Sequence, residues 1–240
     1  MYRPQKNFRD LPFFQKTYRR LNILASVQTT YPSVMRHDGI FQENLRLQEM
    51  TQSIDDLFQW IVIDPPRQPE LFGQAEQLLT SEKALGIKIH SVCHRYSILE
   101  YGDAIFFFPH EHHATVVMHP GRIADMVAFA DKYPQMRLII AYLDDEEHVE
   151  AMAAAKRQNI YIDTSGGASA ANNALGYAVE QVDADRIFFG TDGYSAAFQK
   201  GRILLSSISE EDKQKILLGN ALRCFPKLDA WLNRQKELPY

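Results

Sequence analysis

Short apolar runs recur along the sequence, and longer amphipathic stretches separate them. Each run has the length of a buried strand, and each stretch between them has the spacing of apolar residues that is typical of a helix. Strands that alternate with helices predict a parallel sheet, either a barrel or an open doubly wound sheet. The seven predicted strands are centred near residues 23, 60, 88, 116, 140, 161 and 188.

No strand is predicted before residue 22, where Pro4 and Pro12 interrupt a segment rich in Arg, Lys, Phe and Tyr. The sequence predicts an irregular and helical lead over 1–21 and a final helix within 226–240. A closed barrel of alternating strands and helices has eight strands. We therefore predict an α/β fold of the (β/α)8 TIM-barrel type in which the first strand is absent or distorted. The other predicted helices cover 41–52, 70–85, 100–109, 123–133, 144–158, 168–182 and 209–225.

Composition limits the class of protein. A chain of 240 residues can form one domain, and we expect a single barrel domain over 1–240. The balance of 26 basic and 30 acidic residues argues against a nucleic-acid partner. The sequence has no apolar signal core and no long apolar span, and its two cysteines form no framework. These features predict a cytoplasmic protein with a small-molecule substrate and no membrane partner.

Polar residues end several of the predicted strands. The run IFFGTD delivers Asp192, the run ATVVMH ends on His119, and the alternation in GIKIHS places Lys88 and His90 on one face. The carboxyl ends of parallel strands are where ligands bind, so these side chains are candidates for chemistry. An Asp at such a position also caps turns, and for Asp192 that alternative stays open.

Several motifs occur in an order that resembles a known family. They resemble the metal-dependent amidohydrolase superfamily, in the branch that includes decarboxylases of the aminocarboxymuconate semialdehyde type. The resemblance implies a barrel with a divalent metal, usually zinc, that activates water or polarises a carboxylate-bearing substrate. The motifs are IDP (63–65), GIKIHSVCHRYSI (86–98), VVMHPG (116–121), KYPQMRLIIAYL (132–143), NIYIDTSG (159–166), IFFGTD (187–192) and ILLGNALRCF (216–225).

The resemblance also implies a set of metal ligands, which this sequence matches in part. His119 stands at the position of the strand-five histidine and Asp192 at that of the strand-eight aspartate. Tyr142 replaces the strand-six histidine, and no histidine precedes Asn22 to supply the His-x-His pair of strand one. Catalytic zinc takes three protein ligands, so we name His90 as the third candidate. The alternative is that His90 packs near the site without touching a metal.

Substrate binding is assigned to residues around the same strand ends. Lys88 could neutralise a substrate carboxylate or transfer a proton, or it could pair with Asp192 or Asp163. Backbone N–H groups of Ser165 and Gly166 stand ahead of a predicted helix, where they could bind an anion or simply form an ordinary helix entry. His94, in the loop after the Lys88 strand, completes the predicted substrate-binding set.

Two functions follow as hypotheses. The first is a metal-dependent hydrolase or decarboxylase-like enzyme with Asp192, Lys88 and Tyr142 as catalytic residues. The second is a barrel that has lost its metal and binds a small acidic ligand or a protein partner. Because a missing first strand exposes sheet edges, we expect the N-terminal aromatic residues or a second subunit, as in a homodimer, to cover the gap. The aromatic residues are Phe8, Phe13, Phe14 and Tyr18.

Overall fold

The computed structural model describes residues 14–119, 121–143, 146–155, 157–166, 173–193 and 195–237. Its centre is a sheet of seven parallel strands, in which each strand pairs with the next along the chain. The seven strands curl into a partial barrel, which confirms the predicted fold class. They are β1 Ser26–Gln28, β2 Leu57–Val62, β3 Ala84–Ile89, β4 Thr115–Met118, β5 Arg137–Ile140, β6 Ile160–Asp163 and β7 Ile187–Phe188.

Helices connect the strands, and most of them match the predicted segments. The first described helix, α1, covers 14–20. The others are α2 Tyr31–Met35, α3 Ile40–Ser53, α4 Leu71–Leu79, α5 Ser91–His94, α6 Ile98–Glu111, α7 Ile123–Lys132, α8 Glu146–Ala153, α9 Ala174–Val182, α10 Ala196–Leu204, α11 Glu210–Gln214, α12 Asn220–Cys224 and α13 Pro226–Glu237. None of these described helices is long and apolar enough to span a membrane.

Three helix predictions need correction. The helix predicted to reach residue 85 ends at Leu79, because Ala84 already begins β3. Helix α6 continues through Pro109 to Glu111, so this proline lies inside the helix rather than ending it. Helices α2, α5 and α10 are not among the predicted helices.

The two faces of the sheet bury different sets of side chains. Ile87 and Ile89 of β3 are fully buried in the large core between the sheet and the helices. A second core lies inside the barrel, where alternate strand residues such as Phe58, Val117 and Tyr161 meet. Because successive strand residues point to opposite faces, this division fixes which side chains can reach the lumen.

Aromatic contacts join the barrel interior to the C-terminal helices. Trp231 of α13 packs edge-on against Phe58, with ring centroids 5.6 Å apart. Phe225, between α12 and α13, makes the same kind of contact with Trp60 at 5.6 Å. These rings bury large apolar areas. They make up much of the apolar part of the barrel interior.

The ladder of strands ends at β1 and β7, and in the described residues these two strands do not pair with each other. We call the gap between β1 and β7 the seam. Segment 14–22 spans the seam. The Tyr18 hydroxyl donates a 3.1 Å hydrogen bond to the carbonyl oxygen of Gly193, just after β7. Phe14 stacks on Tyr18 with centroids 6.3 Å apart. Phe8 and Phe13, also predicted to cover the seam, lie outside the described residues.

A π-helical turn, Lys215–Gly219, separates α11 from α12. The Ile216 carbonyl oxygen accepts a 3.1 Å hydrogen bond from the backbone N–H of Phe189. The Asn220 amide donates to the carbonyl oxygens of Ala184 and Ile187 at 2.7 and 2.8 Å. The closing helices are thus fixed to both sides of β7, the strand that carries the Asp192 loop.

Candidate active site

A cavity of about 1200 Å³ lies in the lumen at the carboxyl ends of the strands and along the seam. Its walls are apolar where Trp60, Val117 and Phe188 face inward. Polar side chains line the cavity at the carboxyl ends of the strands, and most of them belong to the predicted site. They are Lys88, His90, Tyr142, Asp163, Ser165 and Asp192.

Lys88 and His90 both face the lumen, as the alternation in β3 predicts. Lys88 forms no ion pair or hydrogen bond with any described residue. Burial in the barrel wall lowers the pKa of Lys88, although the charges of Asp163 and Asp192 act in the opposite direction. The two carboxylates therefore influence this amine through their charge, without a hydrogen bond or ion pair to it.

Asp163, the last residue of β6, points inward and is held by one of its two oxygens. Its Oδ1 accepts hydrogen bonds from the backbone N–H of Tyr142 at 3.2 Å and from that of Ser165 at 2.8 Å. The Ser165 hydroxyl donates to the same oxygen. Burial raises the pKa of Asp163, while the bonds from Ser165 and Tyr142 and the charge of Lys88 oppose that rise.

Gly190, two residues after β7, makes room for this carboxyl group. A Cβ atom at position 190 would lie 2.7 Å from both Cγ and Oδ1 of Asp163 and 3.0 Å from the Ser165 nitrogen. Such distances are shorter than van der Waals contact. Thr164 joins the same two loops, because its hydroxyl accepts a 3.1 Å hydrogen bond from the Gly190 N–H. The ends of β6 and β7 therefore fit together only with glycine at this position.

Three rings stand in a row at the ends of β3, β4 and β5. His90 stacks on His119 with centroids 4.2 Å apart and planes 22° apart. Tyr142 meets His119 edge-on at 5.0 Å. Burial lowers the pKa of His90 to about 3, and the charges of His119 and Lys88 act in the same direction. His90 is therefore a neutral imidazole at physiological pH.

His90 is turned towards the loop that follows β3. Its Nδ1 accepts a 3.2 Å hydrogen bond from the backbone N–H of Cys93, and its Nε2 lies 3.5 Å from the Cys93 sulfur. A neutral imidazole that accepts at Nδ1 carries its proton on Nε2, which then cannot bind a metal. The sequence places Cys93 beside His94, but the structure pairs it with His90.

These residues do not make a complete metal site in the part of the chain that the structure describes. Among those residues, no group of three or more His, Cys, Asp or Glu side chains is placed to hold a metal ion. A catalytic zinc needs three protein ligands. His119 and Asp192 remain predicted ligands, and His90 would have to release the Cys93 N–H before it could join them.

Tyr142 and Asp192 reach the cavity through unusual backbone conformations. Tyr142 has a φ of 74° and Asp192 a φ of 50°, both in the left-handed region. Alternation along an extended strand predicts that Tyr142 shares a face with Ile140, but Ile140 faces the outer core and β5 ends there. The left-handed turn directs the Tyr142 ring into the cavity instead. Asp192 lies in an exposed turn that follows β7.

The remaining predicted substrate-binding residues are placed differently from one another. His94 is fully buried away from the cavity lining, with its Nε2 3.2 Å from the Ser33 carbonyl oxygen. Ser165 lines the cavity, but its N–H is already bonded to Asp163. Gly166 follows with a φ of 89°, and its carbonyl oxygen accepts from the Gln199 amide at 2.5 Å. Their roles in substrate binding stay predictions.

A sequence model of the family described as Amidohydrolase matches residues 6–227. The chain belongs to the amidohydrolase family. No curated protein matches it by sequence. The family match covers all seven strands and every candidate residue, and it confirms the resemblance that the motifs indicated.

Several solved amidohydrolase structures share the fold. A 2,6-dihydroxybenzoate decarboxylase from Rhizobium is 17% identical, with a TM-score of 0.69, and the match covers 90% of this chain and 87% of that one. A 5-carboxyvanillate decarboxylase from Sphingomonas paucimobilis is 16% identical, with a TM-score of 0.69 and coverage of 88% and 82%. A dihydroxybenzoic acid decarboxylase from Polaromonas, with bound manganese and 2-nitroresorcinol, is 18% identical, with a TM-score of 0.65 and coverage of 97% and 92%. At these identities the likeness shows the fold alone.

Two residues of the site are not among the candidates predicted from the sequence. The sequence leaves open whether Asp163 faces inward, and its alternation with Tyr161, a lumen residue, is the signal that favours the inward direction. Gly190 stands in the sequence only at the end of an apolar run. Its role depends on a contact with Asp163, which lies 27 positions earlier in the chain, and no local pattern reveals such a contact.

Proposed function

We propose that this chain is a decarboxylase-like enzyme that binds a small carboxylate-bearing substrate in the lumen, with the carboxylate directed towards Lys88. The observation that carries the proposal is the placement of Lys88. Its amine faces the cavity and has no ion pair with a described residue. A desolvated cation that has no counter-ion among the described residues is costly, so such a site is suited to a ligand of opposite charge.

The walls of the cavity suit an organic acid with an apolar body. Trp60 and Phe188 line the cavity, and Tyr161 packs behind them on Phe188 with ring centroids 5.4 Å apart. Aromatic walls offer a flat apolar surface to a ring or a short chain. The named decarboxylases of similar fold act on aromatic carboxylates, which supports this substrate class for the present chain.

Lys88 is also placed to take part in proton transfer. When a carboxylate loses carbon dioxide, the electrons of the broken bond stay on the carbon, which must then receive a proton. The lowered pKa of Lys88 makes its ammonium group a stronger acid and therefore a better proton donor. Asp192 and Tyr142 stand at the mouth of the cavity, where the Tyr142 hydroxyl could donate to the ligand.

A direct test is acid binding by isothermal titration calorimetry. Wild type should bind simple aromatic carboxylates such as benzoate, and Lys88→Met should weaken that binding by roughly a hundredfold, in line with the loss of a charged partner. Lys132→Met, which changes an exposed lysine on α7, is the matched control and should bind as wild type does. Equal binding by wild type and Lys88→Met would refute the proposal.

A metal-dependent reaction is the second candidate, favoured by the bound manganese in neighbours of similar fold. His119 and Asp192 would hold the ion, zinc or manganese, which when bound would activate water or polarise the substrate. Among the described residues, however, no three donors are placed to hold a metal ion together. Metal analysis of protein purified without chelators tests this candidate. Near one equivalent, lost in His119→Ala, would support it, and no metal in wild type would exclude it.

We also propose the domain organisation, cellular location and partners that the sequence predicts. The whole chain, 1–240, would act as one barrel domain in the cytoplasm, on a small molecule and without a nucleic-acid partner. If wild type binds aromatic acids but releases no carbon dioxide from any of them, the barrel is better described as a binding protein for such acids. Turnover assays on the acids that bind separate the two functions.

A further inference from the structure

We propose that Asp163 recognises a hydrogen-bond donor on the substrate, so that the lumen selects small acids that carry a hydroxyl or amino group. This inference rests on the proposed function, because it places the acid group of the same ligand at Lys88. It assigns a specificity-determining role to Asp163 at the end of β6, a residue of the NIYIDTSG motif that is not among the predicted site residues.

The Asp163 carboxyl group is held firmly by one oxygen only. Oδ1 takes all three hydrogen bonds, two of them from backbone N–H groups of the loops after β5 and β6. Gly190 packs against the same group from β7, at a distance that leaves no space for a side chain. Three strand ends therefore fix the plane of this carboxyl group.

Oδ2, the other oxygen, remains available in the lumen. No described residue donates to it, and it is not among the fully buried atoms that lack a partner. Asp163 lines the cavity together with Lys88. An ionised carboxylate oxygen can only accept hydrogen bonds. The lumen thus presents one cation and one fixed acceptor, a pair that suits a ligand with an acid group and a separate donor.

The position of Asp163 makes discrimination strong. A ligand hydroxyl at Oδ2 forms a charge-assisted hydrogen bond, whereas a methoxy group or a C–H at the same place leaves the carboxylate desolvated and unpaired. Sites built around a hydrogen bond to a substrate hydroxyl reject analogues that lack it far more strongly than apolar pockets reject a missing methylene. The expected selectivity is therefore at least about tenfold in affinity.

The test compares matched acids by calorimetry at pH 8, above the ordinary range of carboxyl pKa values. The probes are benzoate, the three monohydroxybenzoates and the three methoxybenzoates. At least one hydroxybenzoate should bind wild type about tenfold more tightly than its methoxy counterpart. In Asp163→Asn the amide keeps an oxygen for the Tyr142 and Ser165 donors but offers an N–H group in place of Oδ2, so this preference should vanish or invert while benzoate binding persists.

Each outcome decides a separate point. Lys88→Met should weaken all the acids together, which reports on the proposed function alone. Wild type that binds benzoate but shows no preference for any hydroxybenzoate overturns the role of Asp163, and this arm does not depend on the folding of a variant. An unchanged preference in Asp163→Asn overturns it as well. Failure of wild type to bind any of the acids overturns the proposed function itself and, with it, this inference.

Discussion

A 3.2 Å hydrogen bond from the backbone N–H of Tyr142 to Oδ1 of Asp163 joins the ends of β5 and β6. The φ of 74° at Tyr142 directs this N–H towards the carboxylate and the ring towards His119. One backbone conformation thus serves two parts of the site. The Asp163 carboxyl group is therefore held from two sides. The Tyr142 N–H binds it from the end of β5, and Gly190 packs against it from the end of β7.

Gly190→Ala should destabilise the protein by about 1 to 3 kcal/mol, the usual cost of overpacking. The added methyl group would lie 2.7 Å from Asp163 Oδ1, and the carboxyl group cannot move without losing its donors. Urea unfolding measures the change. Gly201→Ala in α10 is the control, because nothing lies within 4 Å of its added Cβ and alanine favours a helix. Equal stability of Gly190→Ala and wild type would show that the strand ends can separate at no cost.

His90 should make the protein less stable in mild acid. Its pKa is about 3 in the folded protein and near 6.5 when unfolded. The unfolded chain therefore binds the extra proton between these values, and the contribution of His90 to stability falls as pH drops through that window. The loss between pH 7 and pH 5 should be about 2 kcal/mol.

Replacing His90 with glutamine tests this pH dependence. The free energy of unfolding of His90→Gln should fall less steeply between pH 7 and pH 5 than that of wild type. His112→Gln, at the exposed end of α6, is the control and should keep the wild-type slope. The slope is the readout, since the glutamine variant also loses the stacking on His119. Parallel curves for wild type and His90→Gln would mean that the imidazole is solvated in the folded state.

Tyr142→His should raise the affinity for divalent metal at least about tenfold, because it adds an imidazole beside His119. Histidine is among the residues that tolerate a positive φ, so the turn can accept it. Tyr142→Phe keeps the ring, and we expect it to weaken ligand binding without changing metal binding. Titration with zinc and manganese measures the first effect. Flat metal affinity together with no gain in ester hydrolysis in the histidine variant would show that no vestigial metal centre exists.

Tyr18→Phe should cost about 1 kcal/mol, because the Gly193 carbonyl loses its donor across the seam. Deleting residues 1–20 should have a larger effect, either lowering the unfolding midpoint or changing the mass seen by light scattering. A lower unfolding midpoint would indicate that the N-terminal segment covers the seam. A changed mass would indicate that a second subunit covers it. A monomer whose stability is the same with and without residues 1–20 would exclude both.

The strands were predictable because each one is a local feature. A barrel strand is buried on both faces, so it gives a short apolar run, and all seven runs formed strands. The side of β3 that carries Lys88 and His90 followed from alternation alone. Strand ends also gave the approximate place of the cavity, since ligand sites in this architecture lie there.

The geometry of the site was less predictable because it depends on contacts between distant residues. Alternation gave the wrong reason for the position of Tyr142, since β5 ends two residues earlier and a left-handed turn directs the ring. The hydrogen bond between Cys93 and His90 decides which imidazole nitrogen carries the proton, and the sequence carries no sign of it. The contact between Gly190 and Asp163 likewise exists only after β6 and β7 pair.

The unpaired ends of the strand ladder have a consequence for how the protein fluctuates. β2 and β3 have six residues each, whereas β1 has three and β7 has two. Hydrogen exchange in folded proteins is slowest where long paired strands are covered on both sides and fastest at short, frayed edges. The amides of β2 to β6 should thus resist exchange as one cooperative unit while β1 and β7 open more often. Local opening should then begin at β7, next to the Asp192 turn. Water would enter the lumen through the seam while strands β2 to β6 stay folded.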